Sequence, residues 1–262
     1  MRKYLRLLAI FYKNTLINEL EYRLNFLSNM FLSLFWLTWA ALSVRVYFFH
    51  ADSIQGWTYY QTLIVMGLFF GMNGYRQMIL TPNLSRISEY VRMGTLDYML
   101  TKPVDSQFMV SLRNIGVYNW GDPLLGLGLV IFALAHLGVW PSPMQIVLFV
   151  VMLAAAAVLL YSLNLILQTT TIWLVNVERV DTLVQGLLET GRFPVNFYGG
   201  WVRAALTVIV PVAFMTTFPT QALLGRLNSS TALISVAAAI IFLIIASTFW
   251  RFALHSYTGA SS

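Results

Sequence analysis

The chain has 262 residues, of which 58% are hydrophobic and only 10% charged, with a formal net charge of +6. A soluble domain of this length carries about a quarter charged residues, so the composition excludes an ordinary soluble fold and points to several bilayer-crossing runs. With no cysteine, disulfides, thiolate metal sites and cysteine nucleophiles are excluded.

Residues 1–22 read as an amphipathic helix lying in the membrane interface. At 100° per residue Arg2, Arg6 and Lys13 gather on one side, with Leu5, Leu8, Tyr12 and Leu16 on another, a pattern suited to anionic lipid. The basic start is not a signal peptide, because the first apolar run begins near Leu24 and lasts about 25 residues, well beyond a signal core. This end is expected to be retained.

The first span is expected over 24–49, with Arg45 snorkelling near its outer end. A brief outer loop with His50, Asp52 and Gly56 leads to a second span over 57–80, in which Gly67 and Gly71 permit close helix approach. Next comes the longest charged, non-spanning passage, residues 84–97. Leu84, Ile87 and Val91 share one side of a helix, and Arg86, Glu89 and Arg92 lie towards another. Gly94 sits where such a helix would end, and Pro103 imposes a further break.

Residues 105–120, with Arg113, Asn114 and Asn119, suit the interface better than lipid. Asp122 as an N-cap and Pro123 at the first helical position start the third span, 122–139; the competing role for Asp122 is a buried proton carrier. Trp140-Pro141-Ser142-Pro143 makes a rigid outer turn, and the fourth span covers 144–173, with a small face at Ala154–Ala157 and a polar inner end. Hydropathy alone places the fifth span over 197–218. The sixth is 231–250. Either way both termini fall inside, where most of the Lys and Arg lie. The basic residues form no dense patch, so a membrane surface and not nucleic acid explains the net charge.

No phosphate-binding loop, zinc helix or nucleophile elbow is present. His50, His136 and His255 share no metal spacing. No cofactor or metal is therefore expected in this chain, and it is not read as an enzyme.

Arg92-x-Gly94-x-Leu96-Asp97-x-x-Leu100-x-Lys102-Pro103-Val104 resembles the cytoplasmic loop of ABC-2 type transporter permeases. Glu178-Arg179-x-Asp181 resembles the polar start of their fifth helix, and Arg192-Phe193-Pro194-Val195, Trp201-Val202-Arg203, Pro211-Val212 and Pro219 resemble the segment that dips into the outer leaflet and returns. The resemblance implies an all-α polytopic membrane protein: six transmembrane helices, an N-terminal elbow helix, a cytoplasmic coupling helix, span five at 177–193 and a re-entrant hairpin at 197–224.

It further implies an ATP-driven exporter in the bacterial inner membrane. Two ATPase subunits, which bind ATP and Mg, would dock at Arg86, Glu89, Arg92 and Asp97. A second copy or related permease would complete a pathway lined by Glu189, Arg192, Phe193 and Trp201. For the Glu189–Arg192 pair, a salt bridge fixing span five is the competing role, and an aromatic belt competes for Phe193 and Trp201. The rival functions are a proton-coupled carrier using Asp122 or Glu189 and a non-transporting membrane scaffold.

Overall fold

Apolar runs longer than a bilayer's hydrocarbon core have one economical solution, the helix that satisfies its own backbone. The computed structural model describes residues 2–20, 23–173, 178–208 and 212–257, and it is built almost wholly of helices. In chain order these are α1 (Arg2–Leu20), α2 (Arg23–Tyr47), α3 (Tyr59–Tyr75), a π-helical turn (Arg76–Leu80) and α4 (Thr81–Leu84). The short helices α5 (Ile87–Arg92), α6 (Leu96–Leu100) and α7 (Ser106–Leu112) follow, then α8 (Gly121–Leu137) and α9 (Pro143–Thr169). Helices α10 (Glu178–Glu189), α11 (Gly200–Val208), α12 (Val212–Met215), α13 (Thr217–Leu223) and α14 (Ser229–His255) complete the chain.

Among the described residues, five stretches are long and apolar enough to cross a membrane: Phe26–Tyr47, Tyr59–Arg92, Val117–Leu137, Pro143–Ile172 and Ser229–His255. A sixth would be the pair α11 and α12–α13, which meet at a bend of 62°, so the run that hydropathy favours as span five is broken. Helix α10 is twelve residues long, about 18 Å, and is continued by a 3₁₀ turn over Thr190–Arg192. The side chains of Glu178, Arg179 and Asp181, like Val177 and Pro211, fall outside the described residues.

The polar connection after α10 keeps its backbone satisfied by protein. Thr216 donates to the Gly191 carbonyl at 3.0 Å, the Val195 amide donates to Thr217 Oγ1 at 3.1 Å, and the Tyr198 hydroxyl donates to the Thr190 carbonyl at 2.9 Å. Irregular backbone at membrane depth is tolerated under such conditions.

Turn chemistry sets the other boundaries. Ser142 caps α9 in a reciprocal box with Gln145, and Pro143 takes the first turn. Gly94, at φ +66°, terminates α5 in the left-handed region, at the position where the sequence reading ends the amphipathic helix, and α6 follows as a separate helix. The loop between α2 and α3 carries an antiparallel hairpin of two-residue strands, Ser53–Ile54 with Trp57–Thr58, turned by Gln55 and Gly56 at positive φ, which the sequence reading missed. Asp122 is not the cap expected of it. Helix α8 starts one residue earlier, with Trp120 at the cap position, and the Asp122 carboxylate accepts from Asn73 Nδ2 at 3.1 Å instead.

Two packed cores hold the bundle. One joins α2, α3 and α8 through Val44, Ile64, Phe69 and Ala133. The other gathers Leu84, Ile87, Leu96 and Met99 of the loop helices with Leu165 of α9 and Trp250 of α14. The hydroxyls of Ser162, Thr169 and Thr171, with Asn164, donate to carbonyls three or four residues back, so the polar inner end of α9 is internally satisfied.

The closest helix approach is between α3 and α8. A methyl built on Gly67 would lie 2.6 Å from the Gly126 carbonyl oxygen, and one on Gly126 would lie 2.9 Å from the Gly71 amide nitrogen. Gly71 and Gly128 have nothing within reach. Gly67→Ala and Gly126→Ala should therefore each cost about 1–3 kcal/mol by overpacking. In detergent thermal unfolding both melt several degrees lower, while Gly71→Ala and Gly128→Ala stay at the wild-type temperature.

Candidate functional site

Polar residues are rare in the spans, and those of α2 recur with helical spacing. Asn29, Ser33 and Ser43 stand on one stripe with Trp36 and Ala40, extending about 21 Å at 1.5 Å per residue, and all five line one groove. Helix α3 contributes Phe69 and Asn73 and the π turn contributes Gln77, each four residues from the next. Asn119, in the 3₁₀ turn before α8, and Asp122, in its first turn, add to the groove, as do Glu189 at the end of α10 and Arg192 in the 3₁₀ turn beyond it. The groove encloses about 530 Å³.

Its depth follows from α3. Phe69 lies ten residues inside the helix start at Tyr59, about 15 Å along the axis, and the Arg192 guanidinium sits over its ring, 5.2 Å from the centroid. Arg192 also pairs with Glu189. The sequence reading puts this pair on one helix; the structure sets Glu189 at the last turn of α10 and Arg192 in the 3₁₀ turn beyond it. Both side chains keep nearly half their surface open to the groove. The salt bridge is thus local to this turn, and the contact with a neighbouring helix is the cation–π contact to α3.

Behind the groove runs a short relay. Arg76 Nη2 donates to Asn73 Oδ1 at 3.4 Å, and Asn73 Nδ2 donates to Asp122 Oδ2 at 3.1 Å. One amide therefore links a guanidinium and a carboxylate carried by different helices.

Of the four predicted pathway residues, the groove brings together Glu189 and Arg192. Phe193 stands beside it, stacked on Phe197 and edge-on to Tyr47. Trp201 is 80% exposed and is not among the residues that line the groove. Sequence reasoning did not single out Asn29, Ser33, Asn73 or Gln77, although their four-residue spacing within apolar spans is a readable signal.

The four predicted docking residues occupy a second surface. Arg86, Glu89 and Arg92 are exposed, whereas Leu84 and Ile87 are fully buried, so α5 is anchored by its apolar side. Arg86 and Glu89 border a cleft of about 390 Å³ whose other walls include Tyr98, Lys102 and Arg113. Asp97 is half-buried and faces the C-terminal segment. Burial first, and then the nearby Asp97 charge, push the Tyr257 phenol up; its hydroxyl makes no hydrogen bond of regular geometry. Helix α1 reaches the same region, with Lys3 Nζ donating to the Pro103 carbonyl at 2.7 Å and Tyr4 packed edge-on against Phe108.

Chemically the groove offers amides, hydroxyls, two carboxylates and one guanidinium against the indoles of Trp36 and Trp39. It can hold the polar part of an amphipathic molecule. Among the described residues no group of three or more His, Asp or Glu side chains is placed to hold a metal ion. Removing one member of the charged pair leaves the other unpaired at membrane depth. Glu189→Ala should lower the detergent melting temperature by about 2–4 °C for each kcal/mol lost, and Glu189→Ala with Arg192→Ala should recover most of that loss. A double variant no better than the single would deny the pair this role.

A family model described as ABC-2 family transporter protein matches residues 34–261. No curated protein and no solved structure matches the chain significantly. The match takes in most of α2, the other membrane-crossing helices, the loop helices and the greater part of the polar groove, and the chain therefore belongs to the ABC-2 family of transporter proteins as a multi-pass membrane permease.

Proposed function

We propose that this chain is the membrane-spanning subunit of an ATP-driven exporter, working with two separate ATPase subunits that bind the ATP and Mg. The observation that carries this reading is the polar groove at membrane depth. Charged and amide groups there must face protein or water and not lipid tails, and the groove opens along α2, whose Trp36 and Trp39 are exposed. A second permease copy, or a related one, covers this opening, and the substrate path runs between the two. Glu189 and Arg192 line it, with Phe193 and Trp201 towards its outer mouth.

The helix over Ile87–Arg92 serves as the coupling helix. Its buried side ties it to α9 and α14, while Arg86, Glu89, Arg92 and Asp97 meet the ATPase. Arg86, Arg92, Lys102 and Arg113 all lie in this part of the chain, which the positive-inside rule places in the cytoplasm with both termini. The elbow helix α1 lies on the same bacterial inner-membrane surface. Helices α11 to α13 form the re-entrant hairpin, which their 62° bend supports, and α10 acts as span five.

Charge exchange on the coupling helix tests the docking. Glu89→Arg and Arg92→Glu should each reduce co-purification of the ATPase subunit, or leave a complex that hydrolyses ATP without export. Wild-type co-purification together with normal export in both variants would refute it. Glu189→Lys should impair export by roughly tenfold or more, given the cost of a lone charge at membrane depth, with assembly retained. Unchanged export would remove Glu189 from the path.

A further inference from the structure

The rod formed by α3, the π turn and α4 contains Pro82, which has no backbone N–H. The missing N–H is the one that would serve the Met78 carbonyl in α register or the Gln77 carbonyl in the register of the preceding π turn. Both are met from elsewhere in the chain. The Gly116 amide donates to the Met78 carbonyl at 2.8 Å, and Asn119 Nδ2 donates to the Gln77 carbonyl at 3.2 Å.

Asn83, 1% exposed, continues the seam. Its Nδ2 donates to the Asn114 carbonyl and its Oδ1 accepts the Asn114 amide, both at 2.7 Å, and Asn114 Nδ2 donates to the Pro82 carbonyl at 3.3 Å. Gly116 fits because it lacks a side chain: a methyl there would lie 3.0 Å from the Gln77 carbonyl oxygen. Segment 114–119 thus replaces the hydrogen bonds the rod cannot make for itself, in buried surroundings where an unmet carbonyl is costly.

The two ends of this seam lead to the two surfaces described above. The Asn83 carbonyl accepts the Arg86 amide at 3.3 Å, directly before α5. Asn119 and Asp122, at the other end, line the groove, and Asp122 is bonded to Asn73 on the same rod. We propose that Asn83, Asn114 and Gly116 form a latch that positions Asn119 and Asp122, so that displacement of α5 is delivered to the groove. This inference rests on the reading of α5 as the ATPase-docking helix. The rod's self-bonded helix is interrupted at the π turn, where a bend costs least, and the latch makes the two segments move as one body.

The test uses the complete complex with its ATPase, reconstituted in lipid. The chain has no cysteine, so with a cysteine-free version of the ATPase a single Ser43→Cys in the groove reports there alone, through its reaction rate with a charged methanethiosulfonate reagent. The rate is measured without nucleotide and after trapping with ATP and vanadate. With the latch intact, nucleotide should change it at least about fivefold, the lower range of site-to-site coupling. Asn83→Ala, and separately Gly116→Ala, should retain ATP hydrolysis and the nucleotide-free rate but lose the response. The nucleotide-free rate certifies folding; if Asn83→Ala fails that control, Gly116→Ala decides. A full response in a folded latch variant overturns the latch. A complex with the intact latch that hydrolyses ATP yet gives no response overturns the docking reading, and the latch with it.

Discussion

A hydrocarbon environment leaves no polar group unaccompanied, and this constraint organises the molecule more than any single contact. Its consequences are visible at every depth. The hydroxyls of α9 turn back on their own helix. The irregular turn after α10 takes its partners from Thr216, Thr217 and Tyr198. Around Pro82, which brings no N–H, a distant segment supplies donors to the Met78 and Gln77 carbonyls. Against that background, the half-exposed Glu189 and Arg192 and the amides around them stand out, because they face a groove instead of a partner surface. A membrane protein retains such an opening for water, for a second subunit or for cargo.

Glycine gives this arrangement its rigidity. Close approach of α3 and α8 at Gly67 and Gly126 removes side chains from the contact and brings the backbones together. Asp122 and Asn73 lie on these two helices, so their hydrogen bond is held by packing and not by flexible linkers. At the other end the buried Ile87, Leu96 and Met99 fasten the loop helices to α9 and α14. A push on the exposed side of α5 meets a packed base. It is transmitted as rigid-body motion, the proposed means by which work done by another chain reaches the membrane.

The class of fold and the existence of the long helices are legible in composition and hydropathy, because apolar length alone specifies a span. The amphipathic division of 84–92 is legible as well, since Leu84 and Ile87 share a helical face. Other features depend on tertiary partners. Asp122 looks like a cap when read with Pro123, but Asn73, 49 residues away, competes for its carboxylate. The hairpin at Ser53–Thr58 is too short for alternation to register. Glu189 and Arg192 are detectable as charges in an apolar region, whereas Trp201 is noticed only as one of a cluster of aromatics and is exposed in the single chain. The stripe of Asn29, Ser33 and Ser43 hides in a span whose average hydropathy conceals individual polar positions.

The central claim is that α2 presents one wet face to a groove and another to lipid. A cysteine scan of α2 in membranes, read out with a membrane-impermeant thiol reagent, tests it most directly. Substitutions at Asn29, Ser33, Trp36 and Ser43 should react readily. Those at Phe31, Leu34 and Leu42, exposed on the outside of the bundle, should stay protected, so that reactivity repeats with helical periodicity. Uniform protection along α2, or reactivity without that periodicity, would contradict the account.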